Sequence, residues 1–168
     1  MESACNTSCF SCELRPDRKF CDLPSDALKA FDSIKRVVLF PRGATLFKEG
    51  EPPKGVFVLC DGRAKLSICS ELGKKLMLRI AGPGELLGLS ATLSGCSYEV
   101  TSETVDASQV VFIKRKDLLR FLREYPGACM QVVGMLSGDL HTAYERVRSL
   151  GLARTRKQKV SAAPRPRT

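Results

Sequence analysis

Four cysteines lie within the first 21 residues of the chain, close enough together to bind one metal centre. They are Cys5, Cys9, Cys12 and Cys21, and most residues around them are polar or charged. Cysteine usually behaves as a small buried hydrophobic residue, but this segment offers little apolar surface to pack against. Four thiols in a short polar stretch are typical of a zinc or iron–sulfur site. We therefore predict that all four are metal ligands.

The spacing C-x3-C-x2-C-x8-C leaves the identity of the bound group open. An iron–sulfur cluster is the first choice and Zn²⁺ the second, because structural zinc sites usually pair two C-x2-C knuckles. Here the pair Cys9 and Cys12 forms a single knuckle. Reversible disulfide sensing, or no role at all, are the remaining interpretations. Arg15, Arg18 and Lys19 would partly offset the negative charge of thiolate ligands.

The other cysteines have less distinctive surroundings. Cys60 and Cys69 occur in runs rich in Val, Leu and Ile, and Cys129 falls on an apolar helix position, so these three are predicted to be core residues. Cys96 follows Ser and Gly in a turn-like stretch and could be either a ligand or a structural residue.

Composition limits the class of protein. The N-terminus has neither a basic start nor an apolar run, which predicts a cytoplasmic chain in a reducing compartment. No stretch reaches the roughly 18 apolar residues of a membrane-spanning helix, so no membrane partner is expected. His141 is the single histidine, which removes the His-based metal sites of jelly-roll dioxygenases and the usual nucleophile–histidine pairs. We predict that the chain is not an enzyme.

The net charge of +9 arises mainly from the end of the chain. Residues 154–168 contain six Lys or Arg and no acid, and without them 21 basic residues face 18 acidic ones. The tail reads as disordered because it has no apolar period and contains Pro164 and Pro166. Its alternative interpretation is a nonspecific, salt-sensitive contact with nucleic acid.

The centre of the chain has the texture of a β-protein. SDALKAFDSI first predicts a short helix, capped by Ser25 or Asp26 and carrying Leu28, Phe31 and Ile34 on one face. Between residues 37 and 113, seven short apolar runs alternate with glycine-containing turns. Strands of this length and spacing predict a sandwich or barrel. No helical pattern separates the strands, so a parallel sheet built from βαβ units is not expected.

Two helices are predicted after the strands. KDLLRFLREY reads as a short amphipathic helix that ends at Pro126, and a longer helix follows to about Leu150. Apolar residues of the longer helix follow a heptad spacing that starts at Cys129 and is typical of a coiled coil. We predict a dimer through this row, which comprises Val133, Leu136, Leu140, Ala143, Val147 and Leu150. The alternative is that the helix packs on its own barrel.

Three ordered motifs of the β region resemble the effector domain of the bacterial Crp/Fnr transcription regulators. They are G-x-x-L-F-x-x-G-E at 43–51, a strand ending in a glycine turn at 56–62, and G-P-G-E-x-x-G at 82–88. The resemblance covers about residues 25–150 and implies a double-stranded β-helix jelly roll, followed by a long dimerisation helix. In that family a DNA-binding helix-turn-helix normally follows the long helix, and this sequence stops before one. A frameshift in the gene is one hypothesis that would explain the Arg-, Ala- and Pro-rich end of the chain. The resemblance thus implies DNA as a partner, while specific DNA binding by this chain should be absent or weak.

The same resemblance places a degenerate effector pocket at Gly84, Glu85, Gly88, Leu89, Ser97 and Tyr98. Members that bind cyclic AMP have Gly-Glu at the matching turn and Arg-Ser or Arg-Thr about ten residues later. Here the turn reads Gly88-Leu89, and Leu89 cannot accept a hydrogen bond from a ribose hydroxyl. No arginine occurs between Arg79 and Arg115 to hold a cyclic phosphate. Cyclic AMP is therefore not an expected ligand.

Fnr-type members hold a [4Fe–4S] cluster with three N-terminal cysteines and one from the barrel. The N-terminal cysteines here are similar in place and density but differ in spacing, and the barrel position falls at about Val111. Either Cys21 or Cys96 would then supply the fourth ligand, and Cys21 is preferred because it keeps the site local.

The prediction is a mainly β protein with added helices, namely a cyclic nucleotide-binding-like jelly roll with a C-terminal dimerisation helix. Its function would be to sense redox state, oxygen or nitric oxide for a Crp/Fnr-type regulator. The alternative is a small-molecule binding module without a cluster. The predicted parts are a cysteine-rich segment (1–24), the barrel (25–125), the dimerisation helix (126–152) and the tail (153–168).

Overall fold

The computed structural model describes residues 8–12 and 20–161, and for Ser11 and residues 150–161 it describes the backbone alone. Within these residues there are eight strands: β1 Arg36–Phe40, β2 Thr45–Phe47, β3 Gly55–Asp61, β4 Ala64–Cys69, β5 Lys75–Ala81, β6 Leu86–Leu87, β7 Thr101–Thr104 and β8 Ser108–Lys114. The helices are α1 Ser25–Ile34, α2 Leu89–Ser94, α3 Arg115–Glu124 and α4 Pro126–Ser161, and a 3₁₀ turn spans Cys9–Ser11.

The strands form two four-stranded antiparallel sheets. One sheet has the order β1-β8-β3-β6 and the other β2-β7-β4-β5. Because most neighbouring strands, apart from β4 and β5, are not consecutive in the chain, the chain crosses between the sheets repeatedly, as in a jelly roll. This confirms the predicted fold.

The core of the barrel lies where the inward faces of the strands meet. Val56, Val58 and Leu59 of β3 are buried, as are Val110 and Val111 of β8, which pairs with it. Strands with both faces covered read as continuous apolar runs rather than alternating ones. This explains why VFVLC and QVVFIK were recognisable as strands from the sequence.

Helix α1 has the predicted bounds but not the predicted cap. Ser25 is its first residue, and the capping position is Pro24, whose carbonyl accepts a 2.8 Å hydrogen bond from the Leu28 N–H. No side chain caps the helix, so the prediction that Ser25 or Asp26 would do so was wrong. Leu28 and Phe31 are buried as expected.

Strand β6 and helix α2 were not predicted. Both are too short to show a period, with two and six residues. Helix α2 lies between Gly88 and Gly95, whose φ angles of +75° and +79° are in the left-handed region that glycine adopts readily. The glycines were read as turns between strands, whereas they begin and end a helix.

Helix α4 begins at Pro126, which the first turn of a helix tolerates because its missing N–H would have no helical partner. It continues to Ser161, so the predicted end near Leu150 and the disorder predicted from residue 153 were wrong for the described part of the tail. Arg, Lys and Gln dominate residues 154–159 and are good helix formers. Residues 162–168 lie outside the described part. The chain divides into one compact unit that ends at Gln131 and another that begins at Val132.

Candidate sensory site

The 3₁₀ turn that contains Cys9 is held by Asp32 of helix α1 and by Lys35, the residue that directly follows the helix. The Cys9 N–H donates a 2.8 Å hydrogen bond to Asp32 Oδ1, and Lys35 Nζ donates one of 3.1 Å to Cys9 Sγ. Lys35 and Asp32 also form an ion pair of 2.6 Å, and the Lys35 side chain is 6% exposed. Three polar groups therefore fix the cysteine turn to the end of α1.

The ionisation of this cluster follows from its contacts. Burial raises the pKa of the Cys9 thiol, and the opposing influence of Lys35 does not cancel the effect. Burial alone would raise the pKa of Asp32, but hydrogen bonds from Lys35 and from the Cys9 N–H lower it overall. Burial opposes the charge of Lys35, yet its hydrogen bonds to Asp32 and Cys9 raise its pKa. Cys9 is therefore a thiol at neutral pH, between a carboxylate and an ammonium group.

The predicted metal ligands differ in how deeply they are buried. Cys12 is half-buried and Cys21 is buried, whereas Cys5 lies outside the described residues. In residues 8–12 and 20–149, no three Cys, His, Asp or Glu side chains are grouped so that they could hold a metal ion. Because Cys5 lies outside the residues searched, the four-ligand assignment stays a prediction.

The remaining cysteines divide between core and surface. Cys60 is buried as predicted, and Cys129 is half-buried on α4. Cys69 is exposed, contrary to the prediction that it belongs to the core, because it is the last residue of β4 and borders the turn that leads to β5. Cys96 is exposed in the turn after α2.

A continuous set of contacts joins the cysteine segment to the first turns of α4. The ring of Phe31 in α1 lies 5.4 Å from that of Phe20, which precedes Cys21, and 5.9 Å from that of Phe121 in α3. Gln131 Nε2 in α4 donates a 2.8 Å hydrogen bond to the Asp22 carbonyl. Phe20 and Asp22, the residues on either side of Cys21, are thus attached to α1 and α4.

Sequence reasoning missed the role of Asp32 and Lys35. Their i, i+3 spacing, with Asp32 in the last turn of a predicted helix and Lys35 directly after it, is a recognisable ion-pair signal. Nothing in the sequence indicates that Cys9 would be the third member of the cluster, because that contact depends on how a turn 23 residues away folds back.

The predicted effector-pocket residues do not present a common polar surface. The Glu85 carboxylate forms an ion pair with Arg79 and accepts a 2.8 Å hydrogen bond from the Gly82 N–H. Leu89 is buried, whereas Ser97 is exposed. The one carboxylate of the predicted set is therefore already engaged within its own turn.

Tyr98 fills space inside the barrel. Its ring stacks on Phe47 at 4.2 Å and lies against Gly88, where an added Cβ would be 2.7 Å from a ring carbon. Its hydroxyl donates a 2.7 Å hydrogen bond to the Gly55 carbonyl and accepts from the N–H groups of Lys54 and Gly55. The sequence placed Tyr98 near the pocket but did not reveal that its hydroxyl holds the start of β3.

The predicted dimer row on α4 is largely exposed. Val133, Leu140 and Val147, seven residues apart, are 51%, 55% and 68% exposed. Leu136 is half-buried and Ala143 is exposed, while the side chain of Leu150 lies outside the described part. The chain by itself thus leaves an apolar row open along this helix. His141 is exposed as predicted and lies 3.5 Å from Glu145.

The cyclic nucleotide-binding domain family matches residues 37–125. Among curated relatives, the CRP-like cAMP-activated global transcriptional regulator of Mycobacterium tuberculosis is 25% identical over 114 residues, which are 68% of this chain and 51% of that protein. The nitrogen fixation regulation protein FixK of Bradyrhizobium diazoefficiens is 25% identical over 154 residues, covering 92% of this chain and 63% of its own length.

Solved structures agree with the fold. The crystal structure of the Thermus thermophilus catabolite activator protein superposes with a TM-score of 0.71 at 22% identity, over 79% of this chain and 62% of the other. The chain spans about half the length of the first curated relatives it matches. None of the described helices is long and apolar enough to cross a bilayer.

Proposed function

This chain belongs to the cyclic nucleotide-binding domain family, and from that premise we propose that it is the sensory and dimerising part of a Crp/Fnr-type transcription regulator in the cytoplasm. The observation that carries the proposal is the family match over residues 37–125, together with relatives that are named as transcription regulators. The exposed apolar row of α4 supports dimerisation.

The input of the proposed sensor is the cysteine segment. It would respond to redox state, oxygen or nitric oxide, with a [4Fe–4S] cluster as the first candidate group and Zn²⁺ as the second. In the described residues, the Cys9 N–H is bonded to Asp32 and the Cys9 sulfur to Lys35. Any reaction that changes the charge or size of the Cys9 sulfur would disturb the 3.1 Å contact with Lys35 and weaken the attachment of the turn to α1.

The contacts to α3 and α4 suggest how such a change could reach the dimer. Phe31 connects α1 to α3, and Gln131 connects the residue after Cys21 to α4. Loosening of the cysteine segment would remove restraints from the start of α4. A ligand state can bias two helix arrangements only through contacts that differ between them, and these contacts are the candidates.

The experiment is anaerobic purification followed by iron, zinc and sulfide analysis. The proposal expects a metal-bound protein whose metal content falls in Cys9→Ser and Cys12→Ser, while Cys69→Ser serves as the control at an exposed cysteine. A brown product that bleaches in air identifies iron–sulfur, and a colourless zinc protein identifies the second choice. Cys96→Ser and Cys21→Ser distinguish the two candidates for the fourth ligand.

A metal-free protein would exclude the metal site but not thiol sensing. Thiol sensing requires that oxidant treatment changes the oligomeric state or the hydrogen exchange of α4. It also requires that Cys9→Ser or Cys12→Ser removes this response. If the protein contains no metal and shows no oxidant response, the cysteine input is wrong.

The output would be control of transcription, with DNA as the partner of the complete regulator. Several relatives are named as transcription regulators, and this chain spans about half of the first curated relatives. The basic residues 154–159 would add a salt-sensitive contact to nucleic acid. Specific protection of a palindromic DNA site by the purified chain would contradict the prediction that its specific DNA binding is absent or weak.

Cyclic AMP is proposed not to be the signal. Glu85 is engaged by Arg79 and Gly82, and Tyr98 fills the space beside Gly88. Calorimetric titration with cyclic AMP should therefore give no saturable heat. Saturable binding that stabilises the fold would favour the alternative of a nucleotide-type module.

A further inference from the structure

A second candidate site lies beside Tyr98, at a cavity whose lining does not include Gly88. It is a cavity of about 290 Å³ lined by residues of β1, β2, β3 and β8 and by Glu51, Lys54 and Tyr98. Of the six residues predicted for the effector pocket, Tyr98 alone lines it. The cavity is thus a different place from the predicted pocket, and it does not depend on the cysteine segment.

The inner surface of the cavity is mainly aromatic. Phe47 and Tyr98 form a stacked pair with centroids 4.2 Å apart, and Phe57 lies 5.5 Å from Phe47. Phe112 continues the series at 5.0 Å from Phe57. Aromatic rings favour offset-stacked or edge-on contact with a further ring, so this surface suits a flat aromatic group.

The mouth of the cavity carries charge. Arg36 and Lys54 are exposed and Glu51 is half-buried, which leaves an excess of one positive charge. Among the described residues, the side chains of Arg36 and Lys54 have no hydrogen-bond or ion-pair partner. Arg36 stands at the end of a cross-strand row that continues through Phe112 to Phe57. A cation therefore borders the aromatic surface directly, with its donors available.

The volume limits the size of a ligand. An apolar cavity of roughly 150 Å³ accommodates benzene, so about 290 Å³ suits a fused pair of rings or one ring with a short side chain. We propose that this cavity binds a small aromatic carboxylate, with its rings against Phe47, Phe57 and Phe112 and its carboxylate between Arg36 and Lys54. Its ligand would contact Tyr98 and thereby reach Gly88 at the start of α2.

The direct test is equilibrium dialysis of the full chain with 2-naphthoate as the probe. The expected result is saturable binding at one site per chain. The neutral analogue 2-naphthalenemethanol, which lacks the carboxylate, should bind more weakly. Comparison of the two probes separates the contribution of the charged mouth from that of the aromatic surface.

Variants at the mouth test the charge. Arg36→Met and Lys54→Met keep the apolar stem and remove one cation each, and each should weaken 2-naphthoate binding by about two- to fivefold, as expected for exposed ion pairs. Lys48→Met, which removes an exposed cation outside the cavity lining, should leave binding unchanged. The neutral probe should not distinguish these variants from the parent chain.

A variant with a larger side chain at the cavity wall tests whether the ligand binds in this cavity. Val38 lines the cavity and is 37% exposed, so Val38→Phe enlarges a side chain at the cavity wall and should reduce binding at least about tenfold by taking up space that the ligand needs. Leu39→Phe, on the opposite face of β1 and 75% exposed, is the matched control and should bind normally. The mouth variants change exposed side chains, so their result stands even if Val38→Phe does not fold.

The proposal is overturned if 2-naphthoate shows no saturable binding to the folded chain. It is equally overturned if a folded Val38→Phe binds as well as Leu39→Phe, or if Arg36→Met, Lys54→Met and Lys48→Met are indistinguishable. None of these results concerns iron, zinc or the cysteines, so failure here is separate from failure of the cysteine input.

Discussion

The Tyr98 hydroxyl attaches the segment between α2 and β7 to the beginning of β3. It contacts the Gly55 carbonyl at 2.7 Å and receives the N–H groups of Lys54 and Gly55. In Tyr98→Phe the carbonyl keeps its hydrogen bond from Thr92, whereas the two N–H groups lose their partner. We expect the free energy of unfolding to fall by about 1–2 kcal/mol in urea denaturation. Tyr144→Phe, at an exposed tyrosine, should change it little.

The same hydroxyl predicts a pH dependence. Burial raises the pKa of Tyr98, and nearby backbone hydrogen bonds only partly oppose this. The folded chain therefore retains the Tyr98 proton above about pH 10, where the unfolded chain has lost it. Stability from this group is complete below that pH and decreases above it. The difference in unfolding free energy between the parent chain and Tyr98→Phe should therefore shrink as the pH rises above about 10, and a constant difference would contradict the prediction.

Gly88 illustrates a residue for which both conformation and space exclude a side chain. Its φ is +75°, and an added Cβ would lie 2.7 Å from a ring carbon of Tyr98. Gly73 has the same φ with open space around it, so Gly73→Ala measures the conformational cost alone. Gly88→Ala should cost about 1–3 kcal/mol more than Gly73→Ala in thermal or urea unfolding. In a Tyr98→Leu background that excess should largely disappear, and persistence there would locate the strain elsewhere.

At the level of elements, the attachment of the cysteine turn to α1 depends on one carboxylate. Asp32 accepts from the Cys9 N–H and pairs with Lys35, which in turn contacts the Cys9 sulfur. Asp32→Ala should accelerate hydrogen exchange at the Cys9 amide and alkylation of the Cys9 thiol, each by about tenfold, because a local opening of this kind costs little once its bonds are lost.

The control for this prediction is Asp26→Ala, which removes an exposed acid from the first turn of the same helix. Peptide mapping by mass spectrometry after brief alkylation reads Cys9 directly, and Cys69 provides an exposed internal reference. Equal rates in both variants would mean that the turn is held by other contacts.

The elements differ in how far the sequence predicts them. Helix α1 and strands such as β3 and β8 were predicted because their apolar residues repeat over enough positions to show a period. Strand β6 and helix α2 have two and six residues and show none. The continuation of α4 to Ser161 was missed because polar residues with high helix propensity resemble a solvated tail when composition alone is considered.

The candidate sites were less predictable than the fold. The cysteine spacing marks the segment that contains Cys9 as a candidate site, but the contact of Cys9 with Asp32 and Lys35 depends on tertiary folding. The aromatic cavity combines residues from four strands and two loops, so no local pattern marks it. Sequence motifs thus indicated the jelly roll, while the groups that line its interior became visible only in three dimensions.

For the whole molecule, the exposed row of α4 predicts a dimer. Val133, Leu140 and Val147 repeat at seven residues and remain open to solvent in the single chain. Burial of such a row against a second copy would be the main source of association energy. A charge at its centre would therefore oppose association strongly.

Leu140→Glu should raise the dimer dissociation constant at least about tenfold, which corresponds to about 1.4 kcal/mol, in sedimentation equilibrium over a range of protein concentrations. Thr142→Glu adds the same charge two residues further along α4 and should leave the constant nearly unchanged, because Thr142 is outside the apolar row. Circular dichroism of both variants checks that the helix persists. A parent chain that stays monomeric at every concentration, or two variants with the same constant, would show that this row does not mediate dimerisation.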